Sequence, residues 1–516
     1  MAITDTCTVV TDFFIATDTD ANGMIERAFA STPTYKNVIL PAGEYVIVRP
    51  IVVPDGVSFR GVGGESVLKP DFSQWEQTPV NGVMVNDYRV VVIHGREGIN
   101  SVYNSFNTIH GDFSISALNG NLVKAIGLFV GTDQVITWEQ SVCYSLINAI
   151  VQNIYIENLD TAYYVQEAWN TNFINIQCMY CRDGLDLVGK SVNCNFMCNF
   201  QNFNNLNTTV AFNNLCPATY TCGINIEQKT TYSDGNGRPE GICILPGTLV
   251  FGAHNNLIIE HVLNIDVADC ILDGALKECI IVNLPDGVTI HNNYIASKAK
   301  YADGISCISL LGNQTSAWSK NTIRNNEIVG IGGGGYQAIT ANSRWDLDVC
   351  ENDIQGFGIV ATDVIIYLNN CHSYKILNNH GHNNIGIFIY NQTNGEFSSI
   401  DGNTIEDNYK ILQCQPSTDM GLQIGRNFSA NSATYARGKI LLLANTTSVS
   451  ITPFGAITNA DFVYPLITFN CYNDWLTSHQ ITWKQNNNVV TFFSDIPIGS
   501  NSSLYYEISA IPCSAF

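Results

Sequence analysis

Short runs in which apolar and polar residues alternate, each closed by one or two Asn, recur along the chain and are most regular between about residues 255 and 407. The phrase His254-Asn255-Asn256-Leu257-Ile258-Ile259 is echoed by Val288-Thr289-Ile290-His291-Asn292-Asn293 and Asn321-Thr322-Ile323-Arg324-Asn325-Asn326. It returns as Asp348-Val349-Cys350-Glu351-Asn352-Asp353, Tyr374-Lys375-Ile376-Leu377-Asn378-Asn379 and Ser399-Ile400-Asp401-Gly402-Asn403. The polar positions 292, 325, 352, 378 and 403 are separated by 33, 27, 26 and 25 residues. A period of this size suits one coil of a solenoid with two or three short strands per coil, Val, Ile and Leu stacking inward and Asn or Gly at the bends. Asn fits a bend because it tolerates left-handed backbone angles and its amide can bond to neighbouring turns. A sandwich with Asn-rich loops is the alternative, but it does not explain the return of the whole phrase. The pattern therefore predicts an all-β fold, a right-handed parallel β-helix with a small C-terminal β domain.

The same rhythm is visible earlier, in Phe113-Ser114-Ile115-Ser116, Ile154-Tyr155-Ile156-Glu157, Phe173-Ile174-Asn175-Ile176 and Cys194-Asn195-Phe196. Residues 1–70 read as an N-terminal capping module. There, Asp20-Ala21-Asn22-Gly23 starts a short helix with apolar Met24, Ile25, Ala28 and Phe29, followed by strands over Val38–Leu40 and Tyr45–Val48. Residues 71–415 form the predicted β-helix, and 217–240, rich in turn formers, read as an excursion from one coil. Residues 416–516 predict a small antiparallel domain with strands near 439–443, 464–469, 480–483, 489–493 and 504–508.

The opening segment carries a family resemblance. Asp18 and Asp20, the helix with Ile25 and Ala28, then Val38-Ile39-Leu40-Pro41-Ala42-Gly43-Glu44-Tyr45 and Val57-Ser58-Phe59-Arg60-Gly61-Val62-Gly63 resemble the start of the pectate-lyase-like β-helix superfamily. The likeness is greatest to its phage tailspike and capsule-depolymerase members. It covers residues 18–70 in sequence and 100–415 in architecture, although Thr19-Asp20-Ala21-Asn22-Gly23 is less rich in Gly and Asp than many relatives. The resemblance implies a homotrimer on a virion tail, joined through a virion adaptor protein and cleaving a bacterial surface polysaccharide. It leaves the cleavage mechanism open.

A net charge of -21 disfavours nucleic acid as a partner, since phosphates call for a basic surface. The 17 cysteines lie largely in strand-like phrases, among them Cys178, Cys181, Cys194, Cys198, Cys270, Cys279 and Cys350, and read as free thiols in a core. Cys178-Met179-Tyr180-Cys181 has no second pair at matching spacing, and His372, His380 and His382 match no recognised metal motif. No metal and no cofactor are expected. Met1-Ala2-Ile3-Thr4-Asp5 lacks the basic start and apolar core of a secretory leader, and no window suggests membrane insertion. Synthesis in the host cytoplasm followed by action at the bacterial cell surface is the expected setting.

Glycoside hydrolysis needs one carboxyl to protonate the leaving oxygen and a second to activate water or attack the sugar. Adjacent coils lie about 4.8 Å apart, so such groups can meet from positions a whole coil apart. The richest cluster is Glu157, Asp160, Glu167, Asp183 and Asp186. Glu167, Asp183 and Asp186 are the catalytic candidates, with Tyr164 and Trp169 as ring surfaces for sugar and Arg182 as a partner for an acidic sugar or a carboxylate. Their structural readings are a loop glutamate, a turn aspartate before Gly184 and a packed indole. An alternative catalytic group is Glu240, Asp269 and Asp273, completed by a neighbouring subunit. A lyase would instead need a base beside a cationic cluster, and His254, His261 and His291 lie among repeat residues with no Arg cluster nearby. A non-catalytic sugar-binding fibre is the remaining alternative.

Overall fold

The computed structural model describes residues 7–32, 37–76, 89–95, 107–117, 125–131, 145–203, 220–228, 238–312, 320–332, 335–392, 398–406, 411–414, 423–429, 435–442, 447–451, 466–471, 481–486, 489–494 and 502–509. It divides into two units, Met1–Ser297 and Lys298–Phe516.

The first unit is built of parallel coils from its start. Strand Thr8–Val9 pairs with Asn37–Leu40, which pairs with Ser58–Gly61. Helix Asn22–Ser31 buries Asn22, Ile25, Ala28 and Phe29, and the Asp20 carboxylate accepts from the Asn22 amide at 2.9 Å, closing its first turn. Phe29 meets Phe59 edge-on at 5.5 Å, and Phe59 meets Phe113 at the same distance, so the helix is tied to the column of inward rings. Next come the eight-residue strands Ile109–Ser116, Ile150–Glu157 and Asn172–Met179, joined side by side in parallel. A second parallel stack contains Ala125–Gly131, Thr161–Val165, Asp183–Val188, Cys222–Glu227, Asn255–Glu260 and Ile280–Asn283. The excursion expected over 217–240 needs correction, because Cys222–Glu227 is a strand with Cys222, Ile224 and Ile226 buried. Its alternation was masked by the surrounding turn formers; 217–219 and 229–237 lie outside the described residues.

The second unit repeats the plan. Strands Asn321–Arg324, Leu347–Cys350, Lys375–Leu377 and Ser399–Asp401 pair in parallel, as do Glu327–Gly330, Asp353–Gln355, His380–His382 and Thr404–Ile405. Parallel pairing reaches Phe428–Ser429. Beyond it stand two antiparallel sheets: Tyr435–Leu442 and Leu466–Cys471 flank Ser502–Ser509, and Ser448–Ile451 and Ile481–Asn486 flank Val489–Ser494. The chain is thus a right-handed parallel β-helix with a small antiparallel β domain at its C-terminal end.

The bends follow a rule. Asn170, Asn193, Asp269, Asn325, Asn370 and Asn378 have φ between 46 and 54°. Each is followed by a small buried polar residue: Thr171, Cys194, Cys270, Asn326, Cys371 and Asn379. The first residue turns the chain through left-handed backbone space, and the second satisfies backbone groups left open by the corner. The Cys194 and Cys270 thiols donate to carbonyls two residues back, at 3.5 and 3.1 Å. Cys371 makes the same bond to the Asn369 carbonyl at 3.5 Å, and the thiols at 194, 270 and 371 are free and buried. Of the repeat positions marked in the sequence, 292, 325 and 378 are left-handed bend residues, whereas Asn352 and Asn403 are inward rungs. The spacing series mixed the two classes.

Candidate functional site

Of the sequence-predicted acids, Asp183 and Asp186 lie on the second parallel stack of the first unit. Register places Asp183 beside Thr161 and Cys222, and Asp186 beside Tyr164 and Asn225. Tyr163 points inward, where its hydroxyl donates to the Ile154 carbonyl at 2.6 Å, so alternation sends Tyr164 and Asp186 to the outer face. Tyr164 stacks on Phe129 at 5.5 Å with an interplanar angle of 13°.

Asp183 is the first residue of its strand rather than a turn residue, and it is buried. Its carboxylate takes an ion pair from Arg182 Nη2 at 2.6 Å and a hydrogen bond from the Cys222 amide at 3.2 Å. Arg182 Nε also lies 3.4 Å from Asp160. Two buried carboxylates thus share one guanidinium. Burial, opposed by Arg182 and aided by Asp160, pushes Asp183 up to about 7. Arg182 is itself buried between these acids. Glu167 and Asp186 are buried too. Glu167 falls in the bend after Thr161–Val165, just before strand Ala168–Trp169, and its carbonyl accepts from the Ser145 amide. Trp169 is 37% exposed. Glu157 is held by Ser116 Oγ at 2.5 Å and by the Tyr155 hydroxyl at 2.8 Å.

The alternative group divides among different parts of the coils. Glu240 opens strand Glu240–Ile244 and is exposed, Asp269 is a left-handed bend residue with φ 53°, and Asp273 lies in Ile271–Ala275 opposite Phe251.

One pair escaped the sequence reading. Glu227 and Glu260 end successive strands of the stack and stand directly opposite each other. Both are only partly buried, unlike Asp183 and Asp186. Burial, reinforced by Glu260 and opposed by a hydrogen bond from Asn225, pushes Glu227 up to about 8. Glu260 Oε1 accepts from Asn283 Nδ2 at 2.9 Å, on the next strand of the stack. Asp186 lies one residue pair along the same face, because it opposes Asn225, two before Glu227. The signal was available in the phase of Cys222-Gly223-Ile224-Asn225-Ile226-Glu227 against Asn255-Asn256-Leu257-Ile258-Ile259-Glu260, each ending in Glu after inward Ile. Turn formers around the first phrase hid it.

Comparison with known proteins adds a family setting. No protein-family model matches the chain. It is 24% identical over 346 residues to the tail spike protein of Shigella phage Sf6, which takes in 62% of this chain and 50% of that protein. It spans about half the length of that curated relative. A tailspike variant of E. coli bacteriophage HK620, solved in complex with a hexasaccharide, matches this chain at a TM-score of 0.53 with 9% identity, covering 98% of this chain and 93% of that one. A tailspike of Pseudomonas phage LKA1 gives 0.48 with 10% identity over 95% and 93% of the two chains. At 9% identity the HK620 likeness concerns the fold alone.

Proposed function

We propose that this chain is the polysaccharide-cleaving body of a phage tailspike, a glycoside hydrolase acting on bacterial capsule or O-antigen. The observation that carries this reading is the Glu227 and Glu260 pair on adjacent strands of one outer face. Adjacent strands put such carboxyls about 5 Å apart, close to the roughly 5 to 5.5 Å at which one carboxyl protonates the leaving oxygen and the other attacks the sugar. Glu227, raised to about 8, holds its proton at neutral pH and is the acid. Glu260, oriented by Asn283, is the partner that attacks the sugar. As the glycosidic bond breaks, the Glu227 proton goes to the departing oxygen while a Glu260 oxygen bonds to the anomeric carbon; water then displaces Glu260 from that carbon, leaving its hydroxyl on the sugar and its proton on Glu227.

Asp186 and Tyr164 continue the same face but are buried, so Trp169 is the sequence-led sugar contact that stays open, while the Arg182, Asp183 and Asp160 group fixes the strand that carries Asp186. Glu167, Asp183 and Asp186 remain the sequence-led choice of catalytic set, so the test separates the two sets. Carboxamide substitutions Glu227→Gln, Glu260→Gln, Glu167→Gln, Asp183→Asn and Asp186→Asn are each assayed for turnover and melting temperature. Loss confined to the first two, with melting retained, supports the pair; full activity in both removes it.

The homotrimer, its attachment through a virion adaptor protein and the setting on a virion tail belong to the same proposal and rest on the tailspike likeness.

A further inference from the structure

On the second unit, a different outer face brings two histidines and an aspartate together. His380 and His382 are two residues apart on strand His380–His382, with Gly381 between them buried and directed at Phe388 and Ile405. Alternation therefore puts both imidazoles on the outer side. The adjacent strand supplies Asp353, in register with His380, while Gln355 stands opposite His382. Asp353 Oδ1 lies 3.0 Å from His380 Nδ1, and Oδ2 lies 3.2 Å from His382 Nε2. One ligand atom from each of the three residues lies within 4.8 Å of the other two.

The second nitrogens have neighbours as well. His380 Nε2 faces Glu406 Oε1 at 3.3 Å, and His382 Nδ1 accepts from Asn383 Nδ2 at 3.2 Å. Each ring thus turns one nitrogen toward a common point and is held from behind through the other. A metal-bound histidine is characteristically oriented by donating its far N–H to a carboxylate, the place Glu406 takes behind His380.

We propose that Asp353, His380 and His382 form a binding site for a divalent first-row transition ion, with Glu406 as an orienting partner of His380. The donor set selects the ion: two imidazoles with one carboxylate suit zinc-like ions, whereas calcium and magnesium demand oxygen ligands. Ligands bonded at about 2.1 Å around a tetrahedral ion stand about 3.4 Å apart, close to the nitrogen to oxygen separations already in place. All three side chains are partly exposed, at 45, 42 and 22%, so an ion can enter and keep a solvent position. Because Asp353 and the histidines come from successive coils, the ion would tie those coils together.

The test uses the full chain, freed of any affinity tag and stripped with a chelator. Zn2+ titrated calorimetrically is expected to bind at one ion per chain and to raise the melting temperature. His380→Gln with His382→Gln should weaken binding at least about a hundredfold, and Glu406→Gln about tenfold to a hundredfold. Melting of the metal-free variants shows whether they fold. Zinc-edge X-ray absorption of the loaded wild-type chain reads the ligands independently of any variant, with two imidazoles and no sulfur expected. No saturable binding, unchanged affinity in the folded double variant, or a sulfur-ligated ion would overturn the proposal.

Discussion

Asn352 Nδ2 donates to Asn379 Oδ1 at 2.9 Å, across 27 residues of chain. The same bond joins Asn326 to Asn352, Asn379 to Asn403 and Asn403 to Asn427 at 3.0, 2.9 and 2.7 Å. Each rung also feeds the backbone: Asn379 Nδ2 donates to the Val349 carbonyl, and Asn379 Oδ1 accepts from the Asn352 amide. A line of buried carboxamides therefore satisfies the corners of successive coils, and its bonds polarise one another.

Asn379→Ala removes the acceptor for two Asn352 donors and should cost on the order of 3 kcal/mol, about 1 to 3 kcal/mol per orphaned group. Asn378→Gly, one residue earlier, should leave stability within about 1 kcal/mol because glycine takes its φ of 54° freely. Denaturant unfolding of both variants reads the contrast. Equal effects would show that the ladder carries no special share of stability.

The raised acids make stability depend on pH. Glu227 keeps its proton to about pH 8 when folded but loses it near 4.5 when unfolded, and Asp183 does so to about 7 against 3.8. Between those limits the folded state binds more protons, so this contribution is fully present in acid and is lost as pH rises. Unfolding free energy should therefore fall from pH 5 toward 8. Glu227→Gln and Asp183→Asn should each flatten the slope. A slope unchanged in both variants would contradict the raised values.

Activity should follow the same proton. If Glu227 is the acid, kcat/KM falls above about pH 8, and Glu227→Gln lowers turnover by about 10² to 10⁴ while abolishing that limb. A pH profile of wild type and variant decides it.

Much of the fold was legible because the coil period is carried by local chemistry, a left-handed Asn and an inward stripe, repeated often enough to outweigh any single residue. The antiparallel strands near the C-terminus were likewise visible in their apolar runs. What escaped was register. Nothing local says that Glu227 stands opposite Glu260, or that Asp353 meets His380, because those partners lie 33 and 27 residues apart and depend on the length of the intervening coil. Burial escaped too: Asp183 and Asp186 read as surface acids, yet both are buried, and Asp183 meets Arg182.

Mass measurement under native conditions checks the assembly, for which three chains are expected. A stable monomer would contradict the trimer.

The central claim is tested most directly by incubating the protein with a panel of capsule and O-antigen polysaccharides and weighing the products. Hydrolysis predicts fragments whose mass includes one added water per cleaved bond, with no new ultraviolet absorbance. Fragments lacking that water and absorbing as a conjugated double bond would contradict it in favour of elimination, and tight binding with no fragments at all would contradict it in favour of a fibre that only holds the sugar.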